Sequence, residues 1–441
     1  MRISNSPARD AGASFKEEHV KTSMRLGAVA TVLAATVALT GCGRSADEGS
    51  GPAAATTLGS EPAKGKVTMW AMGAEGEALT AFLKTFEDAN PDVEVDVTAI
   101  PWDAAHNKIQ TAIAGGTTPD IAMMGSTWMA DFADALTTVP TDVDASDSFP
   151  GSLATNSVKD RAAGIPWYVD TRVLYYRTDL AAKAGWTKAP TTWDELKQMA
   201  SDMQSKAGAA HGIRLPAGND AFQGTLWMPW SNGAEIADGA KWTLDTPEMR
   251  EAYEYYGSFF ADGIADPDVD VSSGAQEASF VDGSTPMLIE GPFEIGQLKA
   301  VGGADFASNF TTAVLPAKET SASFSGGANL VVFDQAKNQD AAWKLARWLG
   351  QPETQAAWYA ATGDLPASQS AWQDPALQSD PTLAAFGEQL KTAKSVPVST
   401  NWVKVGSAAD SALEQIRRGT SSVPDALAKL QSDADSIGSA E

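Results

Sequence analysis

The fourteen residues from Gly164 to Arg177, GIPWYVDTRVLYYR, bring together an indole (Trp167), a carboxylate (Asp170) and a guanidinium (Arg172) ahead of a β-rich run, Val173 to Tyr176. A carboxylate accepts charge-assisted hydrogen bonds, a guanidinium donates them, and an indole offers a flat apolar face. The three are therefore candidates to face a polar ligand. The same letters also fit a buried strand with one capped ion pair between Asp170 and Arg172, and residue types alone leave both readings open.

Other chemistries lack their residues. The three histidines, His19, His106 and His211, are scattered, and Cys42 is the only cysteine, so a transition-metal site is not expected. There is no G-x-S-x-G elbow, P-loop or dinucleotide fingerprint, and no cofactor is expected. The acidic run Asp262 to Asp270 (DGIADPDVD) lacks EF-hand spacing. With 56 acidic against 32 basic residues and a formal charge of −24, the chain repels phosphate backbones, so no nucleic-acid partner is expected. A glycosidase needs two carboxylates that can be distant in sequence, and in a chain this acidic their number decides nothing.

The elements that would position such side chains follow from hydrophobic periodicity. At 441 residues the chain is long enough for two or three units. Val67 to Ala71 reads as a strand. Leu79, Phe82, Leu83 and Phe86 share a helical face, and Val93, Val95 and Val97 alternate with polar residues as in a half-buried strand. A helix through Ala105, Ile109, Ala112 and Ile113 leads to a third strand, Asp120 to Met124. Strands and helices alternating in this way predict a parallel sheet with crossover helices, whose ligands sit at the carboxyl ends of the strands. The loops there carry Glu75, Trp102, Ser126, Thr127 and Trp128. Further on, Thr192 to Glu195 reads as a capping box, and Trp227 and Trp230 flank a proline. Tyr253, Tyr256, Phe259 and Phe260 fall at helical spacing as core. A strand is expected before Phe293 and another at Asn329 to Phe333, with helices from Asp340 onward.

At the start, residues 1–41 predict a secretory signal, with an apolar run from Leu26 to Leu39 too short to span a bilayer comfortably and a possible translation start at Met24. Leu39-Thr40-Gly41-Cys42 resembles a bacterial lipobox, which implies cleavage before Cys42 and lipidation of its sulfur. Residues 42–66, rich in Gly, Ser, Ala and Pro, predict a flexible tether, with folding from near Val67.

In order along the chain, VTMWAMG, FEDANPDVEVDV, IPWDAAHNKIQTAIAGGTTPDIAMMGSTW, GIPWYVDTRVLYYRTDL, LWMPWSNGAEI, FVDGSTPMLIEGPFEI and SGGANLVV resemble the sugar-binding branch of the bacterial extracellular solute-binding proteins, lipoprotein receptors of ATP-driven importers. The resemblance implies an α/β fold of two lobes, the type II periplasmic-binding-protein-like arrangement, with a hinge and an interlobe cleft. It implies a first lobe of 67–170 plus about 328–372 and a second of 171–327 plus about 373–441. It further implies a non-enzymatic monomer that captures a di- or oligosaccharide by hinge closure, passes it to the permease subunits of an ABC importer, and touches the membrane only through its lipid anchor. By position, the resemblance assigns ligand contacts to Glu75, Thr127, Trp128, Asp170, Arg172, Trp230, Asn232, Phe293, Glu294, Asn329 and Trp402. Glu75 and the Thr127-Trp128 pair depart from the charged residues of the best-known maltose-binding relatives, so the sugar's identity does not transfer. The content of 14 Trp against seven Tyr suits a carbohydrate cleft, because a pyranose presents apolar faces inside a polar rim. The alternatives are a surface-anchored glycoside hydrolase, or a receptor of the same fold for a polyamine or a peptide.

Overall fold

The computed structural model describes residues 57–441, Ser273 excepted. Residues 1–56, with the expected signal, Cys42 and most of the tether, lie outside the described residues. The expected parallel start is present: β1 (Gly65–Met72), β2 (Val93–Ile100) and β3 (Ile121–Gly125) lie in the order β2-β1-β3, with β1 parallel to both neighbours. Val67, Met69 and Ala71 are buried on β1, and Ala105, Ile109 and Ala112 are buried on the helix Trp102–Gly115 that connects β2 to β3. The first helix, Gly73–Phe82, follows β1 without the turn that the sequence suggests. Glu75 thus stands in its first turn, where the partial positive charge of the free amides favours a carboxylate.

β4 (Ile165–Thr171) and β5 (Val173–Arg177) are separated by Arg172 alone, yet they belong to different sheets. β5 is the central strand of an antiparallel sheet, between β6 (Met287–Glu290) and β7 (Phe310–Ala313). β8 (Ser323–Val332) returns to the first sheet and runs antiparallel between β3 and β4. β9 (Leu365–Pro366) pairs with the other edge of β4, and β10 (Ala393–Lys394) pairs with the start of β8. The first sheet is therefore β9-β4-β8-β3-β1-β2. Gly327 on β8 has φ +117°, and a side chain there would collide with the Tyr168 carbonyl of β4. The register shifts one step later, between Ala328 and Asn329.

Two core clusters cover the first sheet, one with Val67, Met69, Ile121, Leu330, Leu345 and Trp358 and the other with Ala122, Met124, Val331 and Phe333. The second sheet divides two others. Leu174, Met287 and Ile289 face a cluster with Trp193, Trp227, Tyr253 and Leu427, whereas Val173, Tyr175 and Leu288 face one with Phe280, Phe310 and Phe386. This is the two-faced burial that strand alternation imposes. The capping box differs in one detail. Thr192 Oγ1 accepts from the Glu195 amide at 3.2 Å, but Glu195 Oε2 accepts from the amide of Thr191, at 2.7 Å.

The end of the expected tether is ordered. Leu58 and Ala63 are buried in the first-sheet core, the Leu58 amide donates to Asp142 Oδ1 at 2.8 Å, and the Ala63 amide donates to Asn90 Oδ1 at 2.8 Å. Composition underestimates this segment because the folded domain supplies both the apolar contacts and the acceptors it lacks.

Candidate functional site

β1, β2 and β3 are parallel, so their carboxyl ends deliver Glu75, Trp102 and Ser126 to Trp128 to one edge of the first sheet. Facing them is the amino end of the helix Phe293–Gly302, which begins just past β6. Between the two walls lies a cavity of about 390 Å³. Glu75, Trp102, Tyr168, Asp170, Tyr359 and Asp364 line one side, and Phe293, Lys299 and Asp380 the other. Its volume falls within the range of small-molecule sites. Trp102 and Phe293 remain 37% and 52% exposed, so each wall presents an aromatic face to the opening.

The chain crossing between the sheets forms the floor. Arg172 is ion-paired to Asp170, its Nε lies 3.7 Å from Glu290, and its guanidinium carbon is 6.0 Å from the centroid of the Phe293 ring. Burial pulls the Arg172 pKa down, but Asp170 and Glu290 outweigh it and the guanidinium stays charged. Gly291 makes room for the pair, since a Cβ there would sit 2.7 Å from Asp170 Oδ1 and 2.8 Å from Arg172 Nη1. Tyr175 pins the same turn by donating its hydroxyl to the Gly291 carbonyl at 2.6 Å. Tyr168 donates to Glu75 Oε1 at 3.0 Å, and Trp358 Nε1 donates to Asp364 Oδ2 at 2.9 Å. Burial, and then the nearby Glu75, push Asp364 up to about 7. These groups can accept hydroxyl or ammonium protons at several points while the rings cover apolar faces.

A second cavity, of about 620 Å³, is walled by Ile113, Trp128 and Phe132 together with Thr400, Val403 and Lys404. Its rim holds His106, whose Nε2 is 2.8 Å from Asp131 Oδ2. Trp102 of the first cavity meets Trp128 of the second edge to face, with ring centroids 5.6 Å apart.

Of the candidates read from sequence, Glu75, Asp170 and Phe293 line the first cavity, Arg172 holds Asp170, and Trp128 lines the second cavity with Thr127 half-buried beside it. The structure places the other five inside the protein. Trp230 is 1% exposed, in the core cluster with Trp193 and Trp227. Asn232 is buried, and its amide donates to the Glu248 carbonyl and to Glu251. Asn329 is tied to Thr155 and Asn156 beneath the first sheet. Trp402 packs against Phe222 and Trp242, while its neighbour Val403 is the residue that is 60% exposed at a cavity. Glu294 is fully buried, its oxygens have no close hydrogen-bond partner among the described residues, and burial followed by Glu290 and Glu277 pushes it up to about 8. Trp167, singled out with Asp170 and Arg172, is also a core residue, stacked near Trp358. Sequence reading missed Tyr168, Lys299, Tyr359, Asp364 and Asp380. Tyr168 was within reach, because on β4 it shares a face with Asp170 and opposes Trp167.

Three comparisons bear on this geometry. The model of a family described as bacterial extracellular solute-binding protein matches residues 81–385. A binding protein of Brucella abortus is 30% identical over 363 residues, 78% of this chain and 86% of its own length. The maltotriose-binding protein of Pyrococcus abyssi is 25% identical over 82% of this chain and 79% of its own length. Among solved structures, the sugar-binding protein MalE from Xanthomonas citri superposes with a TM-score of 0.80 at 32% identity, covering 85% of this chain and 97% of that one. The GacH receptor of Streptomyces glaucescens, solved unliganded and with acarbose, has a TM-score of 0.74 at 25% identity, covering 85% of this chain and 98% of that one.

Proposed function

The chain belongs to the bacterial extracellular solute-binding proteins, with their two-lobe α/β fold, and from that membership we propose that it captures a di- or oligosaccharide between its lobes for an ABC-type importer. The observation that carries the sugar reading is the pairing of aromatic faces across the cleft, Trp102 from one wall and Phe293 from the other, over a floor of carboxylate acceptors. A ring bound there touches both lobes. A ligand that touches both lobes binds the closed form better than the open one, and that difference drives closure. Glu75, Asp170 and Asp364 accept hydroxyl protons, Arg172 and Tyr168 fix two of those carboxylates, and Trp102, Phe293 and Tyr359 supply apolar faces. Thr127 and Trp128 would extend the contact toward the second cavity. The hinge in this reading is Arg172 with the crossing at β8. The names of the similar proteins, which bind maltotriose, acarbose or unspecified sugars, support the ligand class.

We also propose that the protein releases its sugar unchanged, is monomeric, and is held at the outer face of the membrane by a lipid on Cys42 after removal of residues 1–41. The test is calorimetric titration of the soluble 57–441 fragment with maltose, maltotriose, cellobiose and diacetylchitobiose, with chromatography of each sugar after long incubation. Binding of one sugar class, intact after incubation and lost in Phe293→Ala, supports the proposal. Shortened products would make the protein a hydrolase, and binding of spermidine or peptides in place of every sugar would replace the ligand class.

A further inference from the structure

The charges on the cleft wall do not balance. Glu75, Asp170, Asp364 and Asp380 line the first cavity, and Lys299 is the one basic residue among its lining side chains. Lys299 lies 3.9 Å from Asp380. Arg172 is shared between Asp170 and Glu290. Glu75 and Asp364 are left with neutral donors, the Tyr168 hydroxyl and the Trp358 indole, and Asp170 Oδ1 is buried without any partner among the described residues. A neutral sugar satisfies carboxylate lone pairs but leaves their mutual repulsion in place. A cation removes it, and the effect grows as the cleft closes and water leaves.

Taking the sugar-binding reading as given, we infer that this cleft selects a sugar bearing a positively charged amino group over the uncharged sugar of the same size, with Glu75 and Asp364 as the selecting residues. The ring faces then set where the sugar lies, and the two carboxylates decide which substituent it carries. Acidity alone would not define a site. Here the cavity and its opposed aromatic walls define it, and the uncompensated charge narrows what enters. The rise of Asp364 toward neutrality fits the same picture, because burial and Glu75 disfavour its charge there.

The experiment compares matched ligands on the 57–441 protein in low salt at pH 7: the β-1,4 dimer of glucosamine against diacetylchitobiose and cellobiose. The expected result is at least tenfold tighter binding of the amino member of the accommodated pair, reduced by added salt as exposed charge interactions are. Glu75→Gln and Asp364→Asn should each weaken the amino sugar several-fold more than the neutral one, so that most of the preference is erased. Neutral sugars binding as well as or better than their amino partners would overturn the inference and leave the sugar reading standing. No binding by either member of any pair, or binding of spermidine alone, would overturn both. A preference that persists in both variants would overturn the assignment to Glu75 and Asp364.

Discussion

At the scale of single residues, exposure separates side chains that serve a ligand from those that serve the fold. Phe293→Ala and Trp102→Ala remove half-exposed rings, so each should weaken sugar binding at least tenfold in calorimetry while shifting the melting temperature by no more than about 2 °C. Trp402→Ala should do the reverse, costing about 3–5 kcal/mol in urea unfolding because it empties a packed core site. Glu294 gives a pH signature. Its folded pKa of about 8 lies above its ordinary value of 4.5, so the stability it contributes is complete below about pH 4.5 and is lost as pH rises through about 8. Glu294→Gln should therefore melt progressively higher than the parent from pH 5 to pH 9. A constant difference across that range would mean that Glu294 does not titrate there.

At the scale of elements, two glycines mark where the backbone leaves no room. Gly291→Ala should displace the Asp170–Arg172 pair and weaken ligand binding with a small effect on folding. Gly327→Ala, strained at φ +117° and facing the Tyr168 carbonyl, should lower the urea midpoint markedly because it forces β8 off β4. The strands themselves were readable in advance: alternation and helical periods gave β1, β2, β3 and their crossover helices, and the residue types of GIPWYVDTRVLYYR offered the Asp170–Arg172 ion pair as one of two readings, the crossing itself coming only from the family resemblance. Residue type alone does not say which aromatic residues face out, whereas helical spacing does for those on helices. Trp402 shows that signal. It shares a helical stripe with Val405, Ala409, Leu413 and Ile416, all buried, so the spacing already marked it as core and Val403 as the exposed neighbour. Asp364, Lys299 and Asp380 carry no such mark. They meet Glu75 only through the packing of distant segments, which local pattern does not encode.

At the scale of the whole molecule, the cleft lies between walls that both sheets help to build, so binding and closure should be one event. Small-angle scattering should show the radius of gyration fall when the preferred sugar is added, and should show no fall in the Phe293→Ala variant. Leu58 belongs to this scale as well, since it and Ala63 fasten the beginning of the described chain to the core of the first sheet, near Asp142 and Asn90. With Cys42 as the proposed anchor, the described end of its tether would be fastened at Asp142 and Asn90. Under that proposal the part of the molecule that holds Asp142 and Asn90 would be the fixed jaw of a vice, and the part that closes on it would present a face whose travel the anchor does not restrain.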